Sequence, residues 1–363
     1  MYSPLHYIRD IVWKGRPIHL TFFVTRRCNA ACPFCFYLRS DEAPTENQAE
    51  LSLPEIEQVS SSLGRLLWLA FSGGEIFLRK DLAEIAEVFY RNNKPTIMLF
   101  PTNGLLPEAI AGQIERVLRA CPKSVVVLKL SLDGLGKAHD ELRRTPGSFE
   151  KTLQTYRAVA GLLDQYRNFE LGVNTVFCSE NQDAMDSIID FVQGLESVKT
   201  HTISLVRGNL SDKRFGDVDL RKYHDAVQKL ERNLCERKSP VYRFRGGRVK
   251  AAQDILQRRL IHRTMQEQTR IMPCYAGRLN LVLNESGEVY PCELLTESLG
   301  NVRDSGYDLR KIAGGEKARK VLGAIRDNAC FCTHECYCMT NILFNPRMYP
   351  ALAREYFRLR PHS

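Results

Sequence analysis

The stretch IHLTFFVTRRCNAACPFCFY, residues 18–37, joins a strand-forming run directly to a loop with three cysteines. Residues 18–24 are mostly β-branched or aromatic, which favours a buried β-strand. Cys28, Cys32 and Cys35 follow with the spacing C-x3-C-x2-C. Three thiols suit neither a pair of disulfides nor a structural zinc site, which needs four ligands. The stretch therefore predicts a strand that leads into a metal site with one open position.

Length and composition limit the class of protein. The chain has 363 residues, 44% of them hydrophobic and 26% charged, as in soluble globular proteins. No run of 18 apolar residues suggests a membrane span, and charged residues interrupt the N-terminus, so we expect a cytoplasmic protein. The formal net charge of +9 is modest. It predicts no specific binding of nucleic acid, although an RNA-binding protein stays an alternative.

Strands and helices alternate through the first two thirds of the chain. The predicted strands are residues 18–24, 66–72, 96–100, 125–131, 169–177 and 200–206. The predicted helices are residues 51–63 and, approximately, 80–93, 107–120, 148–166, 181–194 and 219–236. Alternation of this kind implies parallel crossovers, with loops at the carboxyl ends of the strands carrying function. We predict an α/β fold, a partial (β/α)6 TIM-like barrel.

The alternation stops near residue 237. Residues 237–250 are rich in Arg and Lys and predict a basic helical linker. Beyond it, CYAGRLNLVLNESGEVYPC (274–292) predicts a β-hairpin with a cysteine at each end. We therefore expect a small C-terminal domain with a β-hairpin and a helix. The predicted boundaries are an N-terminal extension (1–17), the barrel (18–236), the linker (237–270), the small domain (271–345) and a terminal helix (346–363).

The three-cysteine loop favours an iron–sulfur cluster over zinc. A cubane has four irons that each need one external ligand, so three cysteines leave one iron open. A fourth zinc ligand is not supplied locally, because His19 lies on the presumed strand and no histidine follows within the loop.

The loop, with Phe34 before its last cysteine, resembles the radical S-adenosylmethionine (radical SAM) superfamily. The resemblance implies that Cys28, Cys32 and Cys35 hold a [4Fe-4S] cluster whose open iron binds S-adenosylmethionine. Reductive cleavage of this cofactor would yield a 5′-deoxyadenosyl radical that abstracts hydrogen from substrate. The competing hypothesis is a non-catalytic iron–sulfur electron carrier.

Loops after the next strands gain roles from the same resemblance. The glycine-rich motif Ser72-Gly73-Gly74-Glu75 would bind the methionyl ammonium. Ser131 and Asp133 would bind the ribose, and Phe34 would lie beside the adenine. Thr102-Asn103-Gly104 is similar to a family turn below the cofactor, and Arg207 is a candidate partner for a carboxylate of cofactor or substrate. The predicted cofactor-binding residues are Phe34, Ser72, Gly73, Gly74, Glu75, Asn103, Ser131, Asp133, Asn174 and Arg207.

A second group of cysteines is similar to the SPASM or twitch extension of that superfamily. Cys274 and Cys292 flank the hairpin, and Cys330, Cys332, Cys336 and Cys338 follow. Six thiols are too few for two four-thiolate clusters, so we predict one auxiliary [4Fe-4S] cluster. Its first-choice ligands are Cys274, Cys292, Cys332 and Cys336, with Cys330 and Cys338 less favoured. Two clusters, or a zinc site that includes His334, remain alternatives.

The remaining predictions concern hydrogen transfer, substrate and partners. Cys178, after the fifth strand, is a speculative hydrogen donor, although a buried core cysteine is the stronger interpretation. The basic linker suggests a small phosphorylated or lipid-linked substrate and peripheral contact with anionic lipid. A ribosomal peptide is the alternative substrate, disfavoured because only 27 residues precede Cys28. The expected partner is an electron donor such as flavodoxin or ferredoxin.

Overall fold

One nine-stranded sheet organises the residues that the computed structural model describes, namely 1–38, 49–327 and 330–359. The strands are β1 (His19–Thr25), β2 (Trp68–Gly73), β3 (Ile97–Thr102), β4 (Val125–Ser131), β5 (Phe169–Phe177), β6 (Thr200–Leu205), β7 (Asn280–Leu283), β8 (Glu288–Tyr290) and β9 (Gly300–Asn301). Their order across the sheet is β6-β5-β4-β3-β2-β1-β7-β8-β9. Strands β1 to β6 are all parallel to their neighbours. This arrangement confirms the predicted α/β fold and is that of a partial barrel.

Helices connect the parallel strands and cover the outside of the sheet. They are α1 (Ile8–Val12), α2 (Leu53–Ser62), α3 (Leu82–Asn93), α4 (Pro107–Ala120), α5 (Lys137–Leu142), α6 (Ser148–Ala160), α7 (Leu162–Gln165), α8 (Met185–Gln193), α9 (Leu220–Cys235), α10 (Gly247–Glu267), α11 (Leu309–Gly314), α12 (Glu316–Asp327), α13 (Glu335–Leu343) and α14 (Tyr349–Arg358). Short 3-10 turns are Pro4–Tyr7, Ile76–Leu78, Gln182–Ala184, Lys213–Gly216 and Pro346–Met348. None of the described helices is long and apolar enough to cross a membrane.

The predicted elements agree with the structure except at a few boundaries. The predicted helix 148–166 is divided at Gly161 into α6 and α7. Helix α5 was not predicted, because its six polar-rich residues are too few to show helical periodicity. Strand β1 is buried along its whole length, as expected for a strand covered on both faces.

The second cysteine region is joined to the barrel by a shared sheet. The predicted hairpin is confirmed: β7 and β8 are antiparallel, with Val282 paired to Tyr290. Strand β7 also pairs in parallel with β1, where His19 lies opposite Asn280. The hairpin therefore extends the barrel sheet beyond β1 instead of forming a separate layer.

The basic linker packs onto the protein through its own charges. Arg243 Nη1 donates to the Leu163 carbonyl at 3.0 Å, and Lys250 pairs with Asp254. Arg248 lies over the ring of Tyr356 in α14, 4.1 Å from its centre. These contacts leave less of the linker's charge for an anionic ligand or lipid than we predicted. Residues 360–363 of the predicted terminal helix lie outside the described residues.

Candidate functional site

The loop after β1 carries the first three cysteines. The Cys35 N–H donates to the Cys32 carbonyl at 3.2 Å, so these two residues share one turn. The N–H groups of Ala30 and Leu38 donate to the sulfurs of Cys28 and Cys35, the second at 3.3 Å. Burial raises the pKa of Cys28, and it raises that of Cys32 to about 11. These thiols therefore bind a metal only with loss of protons, and the N–H donors then stabilise the thiolates.

Gly73 and Gly74, at the end of β2, pack against the backbone that enters the cysteine loop. Gly73 has a φ of +128°, and a Cβ there would overlap the Thr25 carbonyl oxygen. A Cβ on Gly74 would overlap the Arg27 carbonyl oxygen in the same way. The N–H groups of Gly74 and Glu75 donate to these two carbonyls, each at 2.8 Å. The glycines thus allow β2 to hold the cysteine loop through its main chain.

We expect Gly74→Ala to lower the free energy of unfolding by about 1–3 kcal/mol, because the added methyl group forces the two backbone segments apart. The cysteine loop would move with them, so iron binding on reconstitution should fall as well. Urea-induced unfolding and iron analysis measure the two effects.

Gly112→Ala is the matched control for this variant. Gly112 is an exposed residue of α4 with open space around its Cα. Alanine there should stabilise the protein by up to about 1 kcal/mol, since it is the better helix former. Equal unfolding free energies for the two variants would contradict the proposed backbone contact.

Glu75 is fully buried and braces three loops. Its carboxylate accepts hydrogen bonds from the Thr102 hydroxyl at 2.9 Å and from the Asn103 N–H at 2.7 Å. Burial raises the pKa of Glu75 to about 7. The Asn103 amide donates to Asn29 Oδ1 at 2.8 Å and to Cys28 Sγ at 3.8 Å. The glycine-rich motif, the Thr-Asn-Gly turn and the cysteine loop therefore form one connected unit.

A cavity of about 290 Å³ occupies the interior of the barrel. Alternate residues of the parallel strands point into it, as the two-residue period of a strand requires. Five of the predicted cofactor-binding residues line this barrel cavity: Phe34, Ser72, Ser131, Asn174 and Arg207. The remaining lining includes the aromatic and aliphatic residues Phe36, Trp68, Phe71, Leu99, Val127, Phe244 and Met339. Polar residues at the carboxyl edge thus open onto a mainly apolar interior.

Asp133 lies away from this cavity, contrary to its predicted contact with ribose. The Val176 N–H donates to Asp133 Oδ1 at 2.7 Å, and Arg143 Nε donates to Oδ2 at 2.8 Å. Both oxygens are therefore engaged within the protein, and Asp133 is fully buried. Its place favours a role in fixing the loop after β4.

Arg143 was missed by the sequence analysis. It is buried beside Asp133, and its charge acts on Cys28 and Cys32 as well. In the sequence it belongs to the charged segment HDELRR, which is typical of a solvent-exposed helix. The only feature of the sequence that could have indicated this role of Arg143 was its positive charge, which is opposite to that of Asp133.

Cys178 lies in a small apolar cluster with Phe34, Leu142 and Phe215. Its N–H donates to Asn181 Oδ1 at 2.9 Å, and burial raises the pKa of its thiol to about 12. It is not among the residues that line the barrel cavity. This placement favours the core interpretation over a hydrogen donor.

Arg207 connects the barrel to the second cysteine region. Its Nη1 donates to Glu335 Oε2 at 2.9 Å, and its Nη2 lies 3.7 Å from Glu293 Oε2. The guanidinium also lies 5.3 Å from the centre of the Phe36 ring. Burial alone would raise the pKa of Glu293, but His334 at 2.6 Å and Arg207 hold it at about 2. The guanidinium of Arg207, which we predicted to pair with a carboxylate of cofactor or substrate, thus pairs with Glu335 and Glu293 within the protein.

Five cysteines line a second cavity, of about 130 Å³, next to the hairpin. They are Cys274, Cys292, Cys330, Cys332 and Cys338. Cys336, one of the first-choice ligands, instead lines the barrel cavity. Cys336 and Cys338 line different cavities because they are two residues apart on α13 and therefore face different sides of this helix. The sequence spacing alone did not reveal which side holds the other thiols.

Three sulfurs of this second cavity accept main-chain hydrogen bonds, as in the first loop. The donors are the N–H of Ala276 to Cys274, that of Leu294 to Cys292 at 3.4 Å, and that of His334 to Cys332. The Cys338 thiol beside Cys332 lowers the pKa of Cys332. The two cysteine groups thus share the same local chemistry.

The donor sets fit iron–sulfur clusters better than single ions. Sulfur is the ligand atom throughout, and main-chain N–H groups point at these sulfurs. Within residues 1–38, 49–327 and 330–359, no three His, Cys, Asp or Glu side chains converge closely enough to hold one ion. A cubane takes one thiolate at each of its irons, so its ligands stand further apart than those of a single ion.

Comparison with known proteins agrees with this geometry. The family model described as "Radical SAM superfamily" matches residues 22–192. A relative, the AdoMet-dependent heme synthase of Methanosarcina barkeri, is 25% identical over 309 residues, 82% of each chain. The subtilosin biosynthesis protein AlbA of Bacillus subtilis is 27% identical over 302 residues, 80% of this chain and 59% of that protein. The chain thus spans about three fifths of the length of AlbA.

Solved structures share the fold. Streptococcus suis SuiB bound to S-adenosylmethionine superposes with a TM-score of 0.60 and 15% identity, covering 90% of this chain and 74% of SuiB. The protein anSMEcpe with bound AdoMet has a TM-score of 0.60 and 16% identity, with 94% and 96% coverage. Strong likeness at such low identity establishes the architecture alone.

Proposed function

We propose that the chain, whose residues 22–192 match the radical SAM superfamily, is an oxidoreductase that removes a hydrogen atom from a substrate held in the barrel cavity. One observation carries this proposal. The three-cysteine loop, the glycine-rich end of β2 and the mouth of the barrel cavity meet at the carboxyl edge of the sheet. In parallel α/β barrels this edge is where ligands bind.

Cys28, Cys32 and Cys35 are the proposed ligands of the [4Fe-4S] cluster. When bound, the cluster and S-adenosylmethionine supply a 5′-deoxyadenosyl radical that accepts a hydrogen atom from carbon. The role of the chain itself is to position the cysteine loop. Glu75 is hydrogen-bonded to Thr102 and Asn103, and the Asn103 amide contacts Cys28 of this loop. A displaced loop would separate cofactor from substrate, and errors of about 1 Å in such geometry can cost about a hundredfold in rate.

Ser72, Ser131 and Asn174 are the proposed polar contacts of S-adenosylmethionine, since all three line the cavity near its mouth. Phe34 supplies an apolar surface for the adenine at the same edge. We assign Asp133 and Arg143 an indirect role, because each is buried and bonded to the other. Gly73 and Gly74 shape the loop through its main chain.

A small molecule is our preferred substrate. Phe244 from the linker and Met339 from α13 pack against Trp68 at the amino end of the strands and close the cavity there. A mainly apolar cavity of about 290 Å³ suits a compact ligand better than an extended chain. The basic linker gives less support to phosphate or lipid, since the charged groups of Arg243, Arg248 and Lys250 contact protein groups.

The second cavity is the proposed auxiliary cluster site. Cys274, Cys292 and Cys332 are proposed as ligands, with Cys338 as the fourth in place of Cys336. Cys330 is exposed and remains the reserve candidate. We propose the region 271–345 as the auxiliary unit, attached to a barrel of residues 18–236 by the linker 237–270. A cytoplasmic one-electron donor such as flavodoxin or ferredoxin is the proposed partner.

Anaerobic reconstitution with iron and sulfide tests the proposal. The full chain should turn brown, retain iron and sulfide after desalting, and release 5′-deoxyadenosine from S-adenosylmethionine on reduction. Chromatography with mass spectrometry measures the nucleoside. Colourless protein that binds zinc, or a loaded cluster without release of the nucleoside, would refute the enzymatic assignment.

Peptide modification is the second candidate. It is favoured by the similarity to AlbA, which is named for biosynthesis of a bacteriocin, whereas the heme synthase similarity favours a small molecule. Incubating the reduced enzyme with the small-molecule and peptide fractions of a host extract separates the two. The fraction that raises 5′-deoxyadenosine release above the substrate-free rate contains the substrate.

A further inference from the structure

A lysine lies inside the barrel, below the proposed cofactor contacts. Val127, Lys129 and Ser131 are alternate residues of β4, and all three line the barrel cavity. Lys129 precedes Ser131 by two residues, which places its Cα roughly 7 Å further from the carboxyl edge. It is 9% exposed. A charged side chain in such a place needs a reason, since lysine is rarely buried without a charged partner.

Neutral oxygens are the contacts of this amine. Lys129 Nζ donates to Thr200 Oγ1 at 2.6 Å and to Thr202 Oγ1 at 3.1 Å, and it lies 3.5 Å from the Thr200 carbonyl. Its side chain reaches β6 by crossing Gly172 of β5, where a Cβ would lie 2.7 Å from Nζ. The residue opposite Lys129 on β5 is thus one that leaves room for this reach.

Of the two carboxylates near Lys129, Glu170 keeps one oxygen, Oε2, without a hydrogen-bond partner among the described residues. Asp254 pairs with Lys250 and accepts from the Tyr242 hydroxyl, whereas Glu170 accepts from the Arg243 N–H. Among the residues that the structure describes, Lys129 has no ion pair with a carboxylate. Burial lowers the pKa of Lys129 to about 7, although the nearby charges of Asp254 and Glu170 partly favour the protonated amine.

Most of the cavity wall around Lys129 is apolar, although Lys250, Asp254 and Gln257 line the cavity as well. Trp68, Leu99, Phe71, Phe244 and Met339 line the same cavity. A ligand that fills this space is therefore apolar over most of its surface, with one group that satisfies the amine. A carboxylate suits a single cation and two threonine hydroxyls, whereas a phosphate dianion calls for more donors.

We propose that Lys129 binds a carboxylate of the substrate inside the barrel, so that the substrate is a compact apolar carboxylic acid. The inference rests on the proposed function, because it assumes that the barrel cavity holds the substrate. Anchored at this depth, the acid presents its opposite end to the carboxyl edge, where Ser72, Ser131 and the cysteine loop lie. Lys129 then sets which carbon faces the proposed cofactor site.

Two fluorescent probes of one shape test this inference. Naphthalene-2-carboxylate carries the anion, and naphthalene-2-carboxamide is its neutral counterpart. The reconstituted full chain should bind the carboxylate about tenfold more tightly than the amide, because a hydrogen bond to a charged group is gained. Lys129→Met should remove this preference and leave amide binding unchanged, whereas Lys151→Met, at an exposed position of α6, should change neither.

Equal affinities of wild type and Lys129→Met for the carboxylate would overturn the inference. Displacement of the probe by inorganic phosphate at lower concentration than by acetate would overturn the choice of carboxylate. Release of 5′-deoxyadenosine from the same preparations tests the proposed function separately, since probe binding requires no cofactor cleavage. A chain that cleaves the cofactor but shows no carboxylate preference therefore refutes this inference alone.

The pH dependence of wild type keeps the inference testable if Lys129→Met does not fold. The groups that face Lys129 are Asp254, Lys250 and Arg258 of α10, Glu170 of β5 and His201 of β6. The carboxylate preference should fall as the pH is raised from about 6 to about 10, because the amine loses its proton over this range. A preference that stays constant would exclude Lys129 as the anion-binding group.

Discussion

Cys32→Ala is expected to abolish release of 5′-deoxyadenosine. The proposed cluster would lose one of its three thiolates, and the open iron proposed to bind the cofactor would depend on the other irons being held. Loss of a group that merely supports a metal ligand costs about 10–100-fold in affinity or activity, so loss of a ligand itself should cost more than about a hundredfold. Iron bound after reconstitution and the yield of 5′-deoxyadenosine measure the effect.

Cys235→Ala is the control for this variant. Cys235 ends α9 and packs with Leu234, Val241 and Tyr356, outside both cysteine groups. It should bind iron and cleave the cofactor as wild type does. If Cys32→Ala retained full cleavage while Cys235→Ala lost it, the assignment of the first cluster to the loop after β1 would be wrong.

Cys292→Ala should separate cofactor cleavage from product formation. Cys292 lines the second cavity, and Arg207, which reaches Glu293, connects that region to the barrel cavity. We expect about half of the bound iron to be lost, since one of two four-iron clusters disappears. Release of 5′-deoxyadenosine should persist, while conversion of the activating substrate fraction should stop. Iron analysis and mass spectrometry of the fraction measure these outcomes.

Two neighbouring variants show which side of α13 carries the fourth ligand. Cys338→Ala should lower iron content as Cys292→Ala does, because both sulfurs line the second cavity. Cys336→Ala should retain the iron, since Cys336 lines the barrel cavity. The reverse result would restore Cys336 as the ligand, and normal turnover by Cys292→Ala would refute the auxiliary cluster.

The sequence is most informative where the residues concerned are close together in the chain. Cys28, Cys32 and Cys35 are close in the chain, so their spacing alone predicted a shared site. The hairpin between Cys274 and Cys292 was predicted for the same reason, because turn residues lie between two strand-forming runs. Pairing of β7 with β1 could not be predicted, since no local pattern reports a contact between residues about 260 apart in the chain.

Assignments of single side chains were less secure. Asp133 and Cys178 follow their strands as expected, yet both are buried away from the cavity. The direction of a side chain after a strand depends on the turn that follows, and Arg143 decides it for Asp133 through an ion pair. Lys129 was not predicted as a site residue although it lines the cavity. In the sequence, a lysine within an apolar strand only interrupts the apolar pattern.

The sequence by itself determined the fold class, the three-thiol loop and the existence of a second group of thiols, because strand alternation and short cysteine spacings are local properties of the chain. Only the tertiary structure decided which thiols of the second group share a cavity, which charges are already paired and which lysine faces the barrel interior. These properties depend on contacts between distant segments. Burial there determines whether a carboxylate or an amine pairs within the protein or stays available to a ligand.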